Sequence, residues 1–239
     1  MRHSLLVSFM LVLFLCTPLC AQNIYLLSVG ISDYPGENQD LRLPDNDART
    51  VSYIYRQCGS ATVDTLLNSS ATYKNIKNHM KALFSRAGKD DIVVLFFSGH
   101  GSSNGLVAYD GALRYSEIRE IFSQCKSCNK MVFADACYSG KMRVSGGSAP
   151  SAGKEQNVMF FLSSRSNEVS IENPMMKNGY FTAFLERGLR GGADSDRNRV
   201  ITAKELYNFV SEGVKKISDD RQHPVMWGNF SNYMPVIKW

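Results

Sequence analysis

The 239 residues are 44% hydrophobic and 21% charged, an ordinary globular composition that excludes disordered, collagen-like and coiled-coil classes. The formal charge of +5 comes from Lys and Arg scattered among acidic residues. No basic run argues for a nucleic-acid partner.

Residues 1–21 read as an export signal: a basic start at Arg2 and His3, an apolar run Leu5 to Leu15 broken only by Ser8, and a Leu19-Cys20-Ala21 close that suits cleavage. The run is shorter than the roughly 20 apolar residues that cross a bilayer. The expectation is an exported protein, periplasmic or secreted, with residues 22–239 forming a single domain without a membrane span. Cys16 and Cys20 raise lipid modification as a competing reading. Each follows a leucine, however, where such sites usually have a small residue.

Short apolar runs at Ile24–Val29, Ile92–Phe97, Met131–Ala134 and Val158–Leu162 predict buried strands. Thr62–Leu67 is a weaker strand of the same sheet, and Tyr233–Ile237 is expected to add an edge. Between them, apolar residues recur at helical spacing: Ala48, Val51, Ile54, Tyr55 and Cys58, then Ile76, Met80, Leu83 and Phe84. Ile118, Ile121 and Phe122 mark a third helix, Phe181, Phe184 and Leu185 a fourth, and Leu206, Phe209, Val210 and Ile217 a fifth. Continuous runs alternating with helices predict an α/β fold, with an open, mostly parallel sheet covered by helices on both faces. The Gly-, Ser- and Ala-rich stretch 141–156 is expected to be an exposed, mobile loop.

In such sheets ligands bind beyond the carboxyl ends of the strands. One run leads into Ser98-Gly99-His100-Gly101, another into Asp135-Ala136-Cys137-Tyr138. If those strands are neighbours, His100 and Cys137 share one rim. A thiol becomes a nucleophile as thiolate, for which His100 is a suitable partner. The amides of Gly101 and Cys137 could then stabilise an oxyanion.

These two stretches resemble the histidine and cysteine motifs of the caspase-like cysteine peptidases, and within them of metacaspases and their bacterial relatives. The opening Leu26–Gly30 with Leu43-Pro44 and Asn46-Asp47-Ala48, and the late Asn178-Gly179-Tyr180-Phe181-Thr182, are similar to other segments of that family. The resemblance implies a caspase-like fold and a cysteine endopeptidase working through a His100/Cys137 dyad. Where animal caspases carry Gln-Ala-Cys, this chain has Asp135-Ala136-Cys137. Residues two apart on a strand share a face, so Asp135 can join Cys137, and Ser98 can join His100, if the extended geometry persists. An aspartate there attracts a basic P1 side chain. Similarity to metacaspases implies a pocket of Asp47, Ser98 and Asp135 for Arg or Lys, although Asp47 could instead cap the first helix. The expected partners are therefore peptides or proteins with Arg or Lys at P1, acted on by a monomer. Self-processing after Lys141, Arg143 or Lys154 is a further expectation. The competing class is a catalytically silent caspase-like domain that binds peptides or proteins, a role that needs no nucleophile.

No cofactor is expected, with one qualification. Asp194, Asp196, Asn198, Val200, Thr202 and Glu205 follow a calcium-loop spacing, but Arg199 stands where glycine makes the turn. Thr202 and Glu205 also read as a capping box opening the last helix. The acidic cluster that follows the histidine motif in calcium-activated metacaspases is missing: Ser102–Gly111 holds Asp110 alone. Finally, Cys125 and Cys128 have the spacing of a local disulfide, a redox pair or half a zinc site, or are two plain thiols.

Overall fold

The computed structural model describes residues 22–36, 38–102, 104–136, 158–165 and 175–238. In chain order its elements are β1 (Ile24–Gly30), α1 (Pro44–Arg56), β2 (Ala61–Leu67), α2 (Tyr73–Phe84), β3 (Ile92–Gly99), β4 (Gly105–Ala108), β5 (Gly111–Arg114), α3 (Tyr115–Gln124), β6 (Asn129–Ala136), β7 (Val158–Leu162), α4 (Tyr180–Arg187), β8 (Val200–Thr202), α5 (Ala203–Ile217), β9 (Val225–Asn229) and β10 (Pro235–Lys238). The apolar runs form one sheet in the order β2-β1-β3-β6-β7-β9. Its first five strands are parallel and β9 is antiparallel to β7.

Because side chains alternate along a strand, each buried run feeds two cores. On one face Leu27, Val29, Leu95, Phe97 and Val132 pack against Ile76, Met80 and Phe84 of α2 and Ile118 and Phe122 of α3. On the other, Leu26, Val94, Phe96 and Phe133 meet Val51 and Tyr55 of α1, Phe181 and Leu185 of α4, and Leu206 and Val210 of α5. Each such side chain contributes about 1.5–3 kcal/mol by leaving water. The expected open α/β architecture, with helices on both faces, is the one observed.

Local signals open the helices. Thr72 accepts a hydrogen bond from the Asn75 N–H at the start of α2. Thr202 and Glu205 form the expected capping box at α5, with the Thr202 N–H donating to Glu205 Oε2 at 3.0 Å. Pro44 sits in the first turn of α1, where its missing N–H costs nothing.

One expectation needs correction, and the structure adds two features to the sheet. The final strand, β10, is not an edge of the main sheet: it pairs antiparallel with β8 in a separate two-stranded sheet. The edge beyond β7 is β9, whose Val-Met-Trp-Gly-Asn sequence has only three apolar residues in a row. Beside its backbone pairing with β7 it is held by side chains, Trp227 stacking on Phe160 at 4.4 Å with Arg119 over the indole. Lastly, β3 and β6 each run two residues past their apolar cores, so the extended geometry persists through Ser98 and Asp135.

The Cys125 thiol is buried, donates to the Phe84 carbonyl at 3.4 Å, and has its pKa pushed up by that burial. Both it and Cys128 are unbridged. A buried thiol tied to a carbonyl is the setting of a plain core residue, not of a redox centre. Among the described residues, no helix is long and apolar enough to cross a membrane.

Candidate active site

Strands β3 and β6 are neighbours, with Ser98 opposite Asp135 and Gly99 opposite Ala136. Their carboxyl ends therefore bring the two motifs to one rim. Cys137, the next residue of the chain, lies outside the described residues, as do the 1–21 segment and the 141–156 loop with Lys141, Arg143 and Lys154.

Asp47 does not cap α1. It sits in the first helical turn with its carboxylate buried, and takes donors from elsewhere in the chain. Ser98 Oγ donates to Oδ2 at 2.8 Å, while Asn178 Nδ2 and the Gly179 N–H donate to Oδ1 at 2.8 and 3.2 Å. Asp135, also buried, accepts on Oδ2 from both the N–H and the hydroxyl of Thr182, at 3.2 and 2.8 Å. The two carboxylates converge at Gly179. A Cβ there would lie 2.7 Å from Asp135 Oδ2 and 3.6 Å from Asp47 Oδ2, so glycine is what lets the chain pass between them. Burial and the nearby Asp135 charge raise the Asp47 pKa well above the usual carboxylate range, against the pull of its three donors. The three pocket residues expected from sequence are thus together.

His100 follows β3 directly. Its Nε2 lies 2.7 Å from the backbone carbonyl of Gln39. A carbonyl oxygen only accepts, so Nε2 carries a proton and in the neutral ring Nδ1 is the bare, basic nitrogen. The His100 N–H donates to Tyr34 Oη at 3.0 Å, and that hydroxyl donates on to the Val107 carbonyl at 2.9 Å. The Tyr34 ring also rests against the imidazole, centroids 4.7 Å apart. Burial raises the Tyr34 pKa and keeps the hydroxyl a donor. Gly101 bridges to Leu106 of β4. The bridge's hydrogen bonds run from Val107 N to His100 O and from Ser102 N to Gly105 O. Gly101 is its non-hydrogen-bonded member, and its N–H points away from β4.

Four contributors were not assigned a role from sequence. Tyr34 and the Gln39 carbonyl lie in the β1–α1 connection, and nothing in residue type announces a backbone acceptor. Asn178 and Thr182 were visible as a motif, but without a site to which it could be attached.

One acidic group lies far along the chain. Asp194, Asp196 and Glu205 present oxygens within 4.8 Å of one another. The Arg199 backbone is left-handed, φ 66°, so it makes the turn that glycine would have made. Within this loop the carboxylates accept from Asn198, Arg199, Ser195 and Thr202.

The fold and the rim define a caspase domain. The family model of that domain, peptidase C14, matches residues 25–233, and the chain belongs to this family. The fold is shared with protein GSU0716 from Geobacter sulfurreducens, at TM-score 0.68 and 15% identity, covering 89% of this chain and 97% of that one. It is shared equally with caspase-1 from Spodoptera frugiperda, at TM-score 0.68 and 16% identity, covering 88% of each chain. No curated protein matches the sequence.

Proposed function

We propose that the protein is an exported, metacaspase-type cysteine endopeptidase that cleaves after Arg or Lys, acting as a monomer and without a cofactor. One observation carries this reading: two buried carboxylates, Asp47 and Asp135, converge with Ser98 beside His100 at the ends of adjacent strands. A buried anionic pair is costly unless something cationic enters, and a P1 guanidinium or ammonium supplies that charge.

In this mechanism His100 Nδ1, freed by the Nε2 bond to Gln39, takes the Cys137 thiol proton. The thiolate attacks the scissile carbonyl, and the developing oxyanion is met by the N–H groups of Gly101 and Cys137. The same imidazole returns its proton to the leaving amine, and water hydrolyses the thioester. Basic residues 141, 143 and 154 offer sites for self-processing.

The test is cleavage of fluorogenic peptides ending in Arg, Lys or Asp by protein beginning at Gln22, beside Cys137→Ala, with calcium and with chelator. Turnover of Arg and Lys peptides, absent in Cys137→Ala, is expected. Turnover of Asp peptides alone, or none by a folded and self-processed protein, would overturn the reading. Dependence on added calcium would bring the Asp194–Glu205 loop into the mechanism.

A further inference from the structure

The segment Asn178–Thr182 entered the sequence as a motif and has no part in the chemistry above, yet it touches both pocket carboxylates. Asn178 and Gly179 donate to Asp47, and three residues on, in the first turn of α4, Thr182 donates twice to Asp135. Asn178 also donates to Thr50 Oγ1 of α1 at 3.2 Å, which fixes its amide. Asn178 and Thr182 are themselves buried. Buried carboxyl oxygens need donors, and here one short stretch supplies them to two acids whose own sequence positions are far apart.

We propose that Asn178 and Thr182 are positioning residues that determine selectivity for a basic P1 side chain, by holding Asp47 and Asp135 at the separation and orientation a guanidinium or ammonium requires. The inference rests on the peptidase reading above. Neither residue touches the reacting bond; each acts through a carboxylate. The effect should therefore fall on recognition of the P1 cation and leave the chemical step alone.

The experiment compares wild type, Thr182→Val, Thr182→Ser and Asn178→Leu on Arg and Lys peptides, with thermal unfolding as a check of folding. A hydrogen bond to a charged group corresponds to about a tenfold or larger effect. Thr182→Val and Asn178→Leu are expected to raise KM for Arg and Lys peptides about tenfold or more, with kcat within about twofold. Thr182→Ser, which keeps the hydroxyl, should restore KM. Binding of acetyl-arginine amide to Cys137→Ala protein, measured by calorimetry, should weaken in parallel when Thr182→Val is added. Unchanged KM in both folded variants, or a loss confined to kcat, overturns the inference while wild-type turnover of Arg peptides leaves the peptidase reading intact. Failure of wild type to turn over Arg or Lys peptides overturns both.

Discussion

The Ser98 hydroxyl donates to Asp47 Oδ2 across 2.8 Å, tying the carboxyl end of a core strand to the first turn of a helix 51 residues earlier. The bond is buried, and it meets a carboxyl whose pKa is raised by burial and by Asp135. A carboxyl with a raised folded pKa binds a proton more tightly folded than unfolded. Its contribution to stability is therefore present below the unfolded value and is lost as pH rises through the folded one.

Asp47→Asn should separate stability from activity. The amide keeps an acceptor for Asn178 and Gly179, and Ser98 can turn its hydroxyl to accept instead. The variant is expected to gain denaturant midpoint over wild type as pH rises from 4 to 8. Turnover of Arg peptides should fall about 100-fold, because a buried charge partner of the P1 cation is gone. Midpoints that track wild type at every pH would contradict the assignment of a proton-binding Asp47.

The Gln39 carbonyl fixes the imidazole tautomer. Long-range nitrogen–proton spectra of the neutral ring should show the His100 proton on Nε2 and a bare Nδ1. A proton on Nδ1 would mean that the basic nitrogen faces Gln39. His100→Gln is expected to lower kcat by about 10²–10⁴, the usual range for a general base, with little change in affinity for acetyl-arginine amide.

Tyr34→Phe removes one hydroxyl and two hydrogen bonds, leaving the His100 N–H and the Val107 carbonyl short of a partner. The expected loss is about 1–3 kcal/mol, read as a lower denaturant midpoint at unchanged slope. The related change Gly99→Ala places a methyl group 2.6 Å from Tyr34 Oη and should displace the same ring.

Away from the site, Glu117 answers for part of the acid limit. Partial burial disfavours its charge, but hydrogen bonds from Lys77, Tyr73 and the Arg114 N–H outweigh that and bring its pKa to about 2. A lowered folded pKa gives stability that is present above the unfolded value of about 4.3 and is lost as pH falls towards 2. Since the pair is only partly shielded from water, its worth is about 1 kcal/mol. Glu117→Gln should lower stability at pH 7 by that amount and remove the corresponding slope between pH 4.5 and 2.5.

How much was legible from sequence followed the size of each signal. Ile92–Phe97 and Val158–Leu162 are unbroken apolar runs, and both are central strands. By contrast β4, β5 and β8 have three or four residues each, and β9 owes its place to Trp227 stacking on Phe160. Such short elements are defined by partners that periodicity does not reveal. The pocket trio of Asp47, Ser98 and Asp135 could be read because strand alternation and the family's motifs agree on it. The donors that hold it could not, since Thr182 and Asp135, 47 positions apart, meet only after the chain between them has folded back. Arg199 shows the reverse case, a residue type that argued against a turn its backbone makes.

The clasp between Asn178–Thr182 and the two aspartates also fixes an order of events during synthesis. Asp47 finds two of its three donors 131 and 132 positions further on. A ribosome-bound chain that ends before that point carries the imidazole but not the finished set of donors around Asp47 and Asp135. The selection of a basic side chain proposed for these acids would thus arrive late, once residues 178–182 have docked, and a shorter nascent chain would lack it.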